Sequence, residues 1–134
     1  MKAVFRKRLE KLALHLEKGK LGHERFDFNT VHKNHSHKKG FCGTAGCAMG
    51  ECPVVFPRHW EFLEYDVALK GQPHSGFYSG AKFFGLSAEE HNHLFMPGYQ
   101  NVESYGGRYL GVRAKRESVA SNIRAFLKKK KVKS

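Results

Sequence analysis

Cysteine is scarce in this 134-residue chain: there are three, an odd number, all between positions 42 and 52. That excludes a disulfide-stapled scaffold and points to a reducing compartment. No apolar run approaches the roughly 20 residues that a membrane span requires. No N-terminal segment has the charged start, apolar centre and small-residue cleavage site of a secretory signal. The expectation is therefore a cytoplasmic protein with no membrane partner. There is no repeat of fixed period and no linker-like stretch, so a single domain is expected; a chain this long buries roughly two thirds of its unfolded surface without covalent help.

Acidic residues are also few, 12 against 24 Lys and Arg, and the excess is unevenly placed. Residues 1–20 carry seven basic and two acidic side chains, and residues 108–134 carry ten and one, so the middle, with seven and nine, is near neutrality. The charge resides at the two ends. A balance of this kind favours polyanionic partners, nucleic acid foremost.

Both charged ends read as helices. Phe5, Leu9, Leu12 and Leu16 follow the spacing of a helix face that stops near Gly19. At about 100° per residue, Lys7, Lys11 and Lys18 fall opposite that stripe, with Arg8 beside them. The closing "KRESVASNIRAFLKKKK" turns Val119, Ile123 and Phe126 inward. Arg124, Lys128 and Lys131 then lie within about 60° of one another, away from the apolar side. Placed side by side, the two basic faces would form one continuous patch. Lys7, Lys11, Lys18, Arg124, Lys128 and Lys131 are the candidate nucleic-acid-binding residues.

Between the ends, Leu21 to Gly40 has no periodicity and reads as a loop carrying His23, His32, His35 and His37. "FPRHWEFLEYDVALKG" places Phe56, Trp60, Leu63 and Val67 at helical spacing, with Pro57 in a first turn and Gly71 as a stop; strand alternation fits less well. A short helix is expected around Ala81 to Phe84. Ser87 with Glu90 forms a capping box that opens another helix through about Phe95, before Pro97 and Gly98 end it. Tyr99 to Val112, rich in Gly and Tyr, reads as irregular. The expected fold is mainly all-α: one compact domain of five to six short helices over residues 1–127, joined by long irregular loops, with a basic flexible tail at 128–134.

The stretch "GFCGTAGCAMGEC", Gly40 to Cys52, is where chemistry would reside. A helix from Thr44, stopped by Pro53, would point Cys42, Cys47 and Cys52 at about 0°, 140° and 280°, too divergent for one metal. The short ligand pairs of a structural zinc site are absent. A looser site would combine His35 and His37 with Cys42. Locally, "CGTAGCAM" is similar to the nucleophile helix of papain-like bacterial leader peptidases, and a cysteine at a helix start favours thiolate. No Gln precedes Cys42 to complete an oxyanion hole, and His59 lies close by rather than far downstream. Packing accounts for the glycines: Gly46 and Gly50, four apart on one helix face, would let another element approach closely. Free thiols, no bound metal and no cofactor are expected.

"AKFFGLSAEEHNHL" loosely resembles a DNA-binding helix-turn-helix, but Glu89 and Glu90 at the start of a recognition helix would repel phosphates. His91 falls where an apolar residue should enter the core. More of the chain resembles an uncharacterised family of small bacterial and phage-borne proteins. The shared features are "FDFNT" at Phe26 to Thr30, "CGTAGCAMG" at Cys42 to Gly50, "FFGLSAEEHNHLF" at Phe83 to Phe95 and "VASNIRAFL" at Val119 to Leu127. The resemblance implies a single small helical domain and no particular activity; Cys52, the histidine-rich loop and the lysine tail depart from it. Three readings follow: a basic protein that binds nucleic acid or another polyanion through phosphates, a small cysteine- or metal-dependent enzyme centred on Cys42, or a protein–protein adaptor. The charge distribution favours binding over catalysis.

Overall fold

The computed structural model describes residues 1–22, 25–30, 32–34, 44–63, 66–72 and 76–130. Its elements run α1 (Ala3–Lys18), β1 (Arg25–Phe26), β2 (His32–Asn34), β3 (Thr44–Gly46), a 3-10 turn (Met49–Glu51), α2 (Cys52–Val55), β4 (Trp60–Phe62), β5 (Val67–Leu69), α3 (Ser79–Phe83), α4 (Ala88–Phe95), α5 (Val102–Tyr105) and α6 (Arg116–Lys129). The fold is mainly helical but not purely all-α. β3 pairs in parallel with β1 and antiparallel with β2, and β4–β5 forms a separate antiparallel hairpin.

The terminal helices form as their periodicity dictates, burying Leu9, Leu12 and Leu16 of α1 against Val119, Ile123 and Phe126 of α6. They run antiparallel, and each N-terminal arginine closes the other helix's C-terminus. Arg6 donates to the carbonyls of Leu127 and Lys130, both at 2.8 Å. Arg116, the first residue of α6, donates to Leu16 O at 2.6 Å, His15 O at 2.8 Å and Gly19 O. The last carbonyls of a helix have no intrahelical partner and sit at the negative end of its dipole, so a guanidinium there satisfies hydrogen bonds and charge together. α6 also continues through Lys129, two residues past the expected domain end, and Lys130 pairs with Glu90 at 2.5 Å.

Three expectations fail between positions 44 and 71. The segment from Thr44 is not one helix: Gly46 ends a strand and Gly50 lies in the 3-10 turn, so the two do not share a helix face. Pro53 opens α2 instead of stopping a helix, because a first-turn residue needs no N–H partner. The stretch from Trp60 is a hairpin, with Trp60 opposite Leu69 and Phe62 opposite Val67. Its Trp, Phe and Val content suits a pleated, half-buried surface, and the Asp66 carboxylate accepts from Val67 N at 2.8 Å where the second strand begins. Trp60 is buried and Phe62, on the same face two residues on, is exposed, so the strand leaves the core within its own length.

Aromatic side chains join the layers. Phe83 meets Phe56, Trp60 and Phe84 edge-on, at centroid distances of 5.0, 5.5 and 5.0 Å. Arg8 of α1 lies 4.1 Å from the centre of the Phe83 ring and donates to Phe83 O at 2.7 Å. Gly85 turns between α3 and α4 at φ +65°, and a Cβ there would enter the Phe5 ring. The expected capping box is present: Glu90 N donates to Ser87 Oγ, and Ser87 N to the Glu90 carboxylate.

His91 and His93 of α4 are both buried. Among the described residues His91 is surrounded by Phe77, Tyr78 and Phe95, with weak polar approaches from the Phe77 backbone and the Asn92 side chain. His93 accepts a 2.9 Å bond from Asn101 N on Nδ1, which requires that nitrogen to be unprotonated. Burial lowers the pKa of both.

Two predictions follow from these contacts. Arg116→Met should lower unfolding free energy by about 2 kcal/mol in urea titrations, the scale of hydrogen bonds to a charged group. Arg116→Lys should recover less than half, since one ammonium cannot reproduce the guanidinium fork. Below the ordinary histidine pKa of about 6.5, unfolded imidazoles take up protons that the folded ones refuse, so stability should fall as pH drops from about 7 to 5. His91→Leu should make that fall shallower in melting experiments, without loss of stability at about pH 7.

Candidate nucleic-acid interface

The site is built on the solvent side of α1. Because Leu9, Leu12 and Leu16 fix which face turns inward, Lys7, Lys11 and Lys18 stand exposed along the opposite side. None of the three makes an ion pair among the described residues. Lys11 extends over the Phe56 ring, 5.5 Å from its centre, which leaves its ammonium outward and its stem on apolar surface.

α6 lies beside α1, as a joint patch requires, but an acidic seam runs between the two basic faces. Glu10 and Glu17 sit about 80–100° around α1 from the lysine stripe, on the side facing α6. Arg6 pairs with Glu10 at 3.3 Å. Arg124 holds Glu17 with both its Nε and terminal nitrogens, at 3.2 and 2.9 Å. The Arg124 bonds take the Glu17 carboxyl below its ordinary pKa, and Glu17 in turn raises that of Arg124. Arg124, a candidate from sequence, is therefore occupied by a neighbour. Lys128 is exposed near the first turns of α1, whereas Lys129 bonds Glu103 O at 3.1 Å. Lys131 lies outside the described residues.

Beside the lysine stripe is a feature that the helical spacing alone did not identify. α1 and α2 enclose an open groove of about 640 Å³, floored by Leu14, Val54, Val55 and Pro57 and edged by Lys11 and Lys18. Leu14 is 50% exposed and Val54 39%. Beneath it lies a buried polar link, with His15 Nε2 2.8 Å from Glu51 Oε1, which also accepts from Gly22 N at 2.7 Å. This link fixes the spacing of α1 from the 3-10 turn ahead of α2.

Cys47 and Cys52, the described residues of the other candidate chemistry, do not line this groove. Cys42, His35 and His37 lie outside the described residues. Cys47 and Cys52 are buried free thiols; Cys47 lies between β3 and the 3-10 turn, not within a helix. Burial pushes the Cys47 thiol up to about 11, despite stabilising backbone bonds, and raises Cys52 well above its ordinary value. A reactive cysteine needs the opposite shift. Among the described residues, no group of three His, Cys, Asp or Glu side chains could hold a metal ion. No helix of the described residues is long and apolar enough to cross a membrane. In the Tyr99 to Tyr109 segment, Tyr99 and Tyr109 are exposed while Tyr105 packs on His93 and Phe126.

In a Cys42→Ser variant, Cys47 and Cys52 should react with a thiol reagent at about pH 7 at under about 1% of the rate of a free cysteine, reaching full labelling only in denaturant. Mass spectrometry of the labelled protein over time reads this directly. No protein-family model matches the chain, and neither the curated proteins nor the solved structures contain a significant match to it.

Proposed function

We propose that this protein binds nucleic acid, or a polyanion of similar charge density, through its phosphates and with little sequence preference. The observation that carries the reading is how cations are used on the paired helices. Arg6, Arg8, Arg116 and Arg124 are each bonded within the fold, to carbonyls, an aromatic ring or a carboxylate. Lys7, Lys18 and Lys128 are left to solvent, and Lys11, though it lies over the Phe56 ring, is exposed and makes no ion pair among the described residues. Lysine contacts phosphate as a point charge without fixed geometry, which suits sequence-independent attachment.

If about five phosphates are neutralised, log affinity for a duplex should fall with log salt at a slope near −4 to −5. Replacing Lys7, Lys11 and Lys18 together by Gln should reduce the steepness by roughly 2 to 3 and leave melting unchanged. Arg124→Gln should alter the slope by less than about 0.5, because that cation is held by Glu17. Fluorescence anisotropy across a salt series measures all three. Binding indifferent to salt and to the triple substitution would overturn the reading.

A further inference from the structure

The groove between α1 and α2 combines two surfaces that a duplex cannot use together. Its edge is cationic, with Lys11 and Lys18 about 10.5 Å apart along α1 by helical rise. Its floor is apolar, and Leu14, on the lysine side of α1, remains half open to water. Past Lys11 and Pro57 the depression continues for about 280 Å³ to Arg58 and His59, both exposed. Guanidinium and imidazole planes can stack on nucleobases. Duplex DNA turns its phosphates outward and buries its base faces in the stack, so it would meet the lysines and leave the floor uncovered. An unpaired strand presents phosphates and base faces along the same ribbon.

We infer that this groove seats the bases of a single-stranded nucleic acid while Lys11 and Lys18 hold its phosphates. The inference rests on the phosphate-binding reading above and makes it specific to single strands. An acidic amphipathic peptide would complement the same edge and floor. The single strand is favoured because the cations continue beyond the groove at its Lys11 end, to Lys7 along α1 and to Arg58 past Pro57, as an extended polyanion requires. The ring-bearing side chain at the far end, His59, adds a stacking surface that a peptide does not need.

The test compares labelled 12-nucleotide oligo-dT and oligo-rU with a 12-base-pair duplex, by anisotropy at constant salt. The single strands should bind at least about tenfold more tightly than the duplex, as stacking adds to charge only for them. Leu14→Gln, at an exposed helical position, should weaken single-strand binding by about threefold to fivefold with duplex affinity and salt slope unchanged, whereas Leu14→Tyr should strengthen it. Equal affinity for both forms, or equal effects of the Leu14 variants on both, would overturn the groove assignment while a steep salt slope kept the phosphate reading intact. Loss of salt dependence for both nucleic acids would overturn the two together. Displacement by a Glu/Leu-rich amphipathic peptide that outcompetes oligo-dT would assign the groove to a protein ligand instead.

Discussion

The reciprocal closure of α1 and α6 by Arg6 and Arg116 is the constraint on which the rest of the molecule depends. A helix end buried without partners for its carbonyls is costly, and here two ends are satisfied by side chains from the opposite strand of the pair. The geometry works only if the helices are antiparallel and in one axial register, since each arginine must reach a terminus formed more than a hundred residues away in sequence or close to it. With that register set, the leucines of α1 meet the Val119–Ile123–Phe126 stripe, and the aromatic layer around Phe83 closes the other side of α1 through Arg8.

The same arrangement decides which charges are available to a partner. Arginines near the pair are consumed in holding it together, and the two glutamates of α1 that could oppose a polyanion are themselves neutralised by Arg6 and Arg124. The exposed ion pair contributes little stability, on the order of 1 kcal/mol or less. Its effect is on the field: lysines face water on one side of α1, while the acidic seam beside them is masked. The expected continuous patch across both helices is thus two basic margins with a neutral seam. The α1 margin is extended by the groove over α2.

Much of the helical framework was legible in the sequence because its signals are local. The Phe5–Leu9–Leu12–Leu16 stripe, the Ser87–Glu90 capping box and the Val119–Ile123–Phe126 stripe of α6 depend only on residues within a few turns. Positions 44–71 were misread for the complementary reason. Over so few residues Phe56, Trp60, Leu63 and Val67 satisfy a helical period as well as a hairpin, and Pro57 and Asp66 decide between them only through turn geometry. In the site, exposure of Lys7, Lys11 and Lys18 follows from the same periodicity. The capture of Arg124 by Glu17 does not, because a contact spanning 107 residues leaves no local trace. Leu14 did carry a signal, as an apolar residue set among lysines, but its groove exists only where α2 is brought against α1 by tertiary packing.

In the proposed role the nucleic acid lies on one face, defined by the solvent side of α1 and its junction with α2. Backbone amide shifts of the isotopically labelled protein, followed during titration with a short oligo-dT, test it most directly. Perturbations are expected to concentrate at Lys7, Lys11, Leu14, Lys18, Val54 and Arg58, with a weaker set near Lys128. Shifts centred on α4 and the Tyr99 to Tyr109 segment, with α1 unmoved, would contradict it.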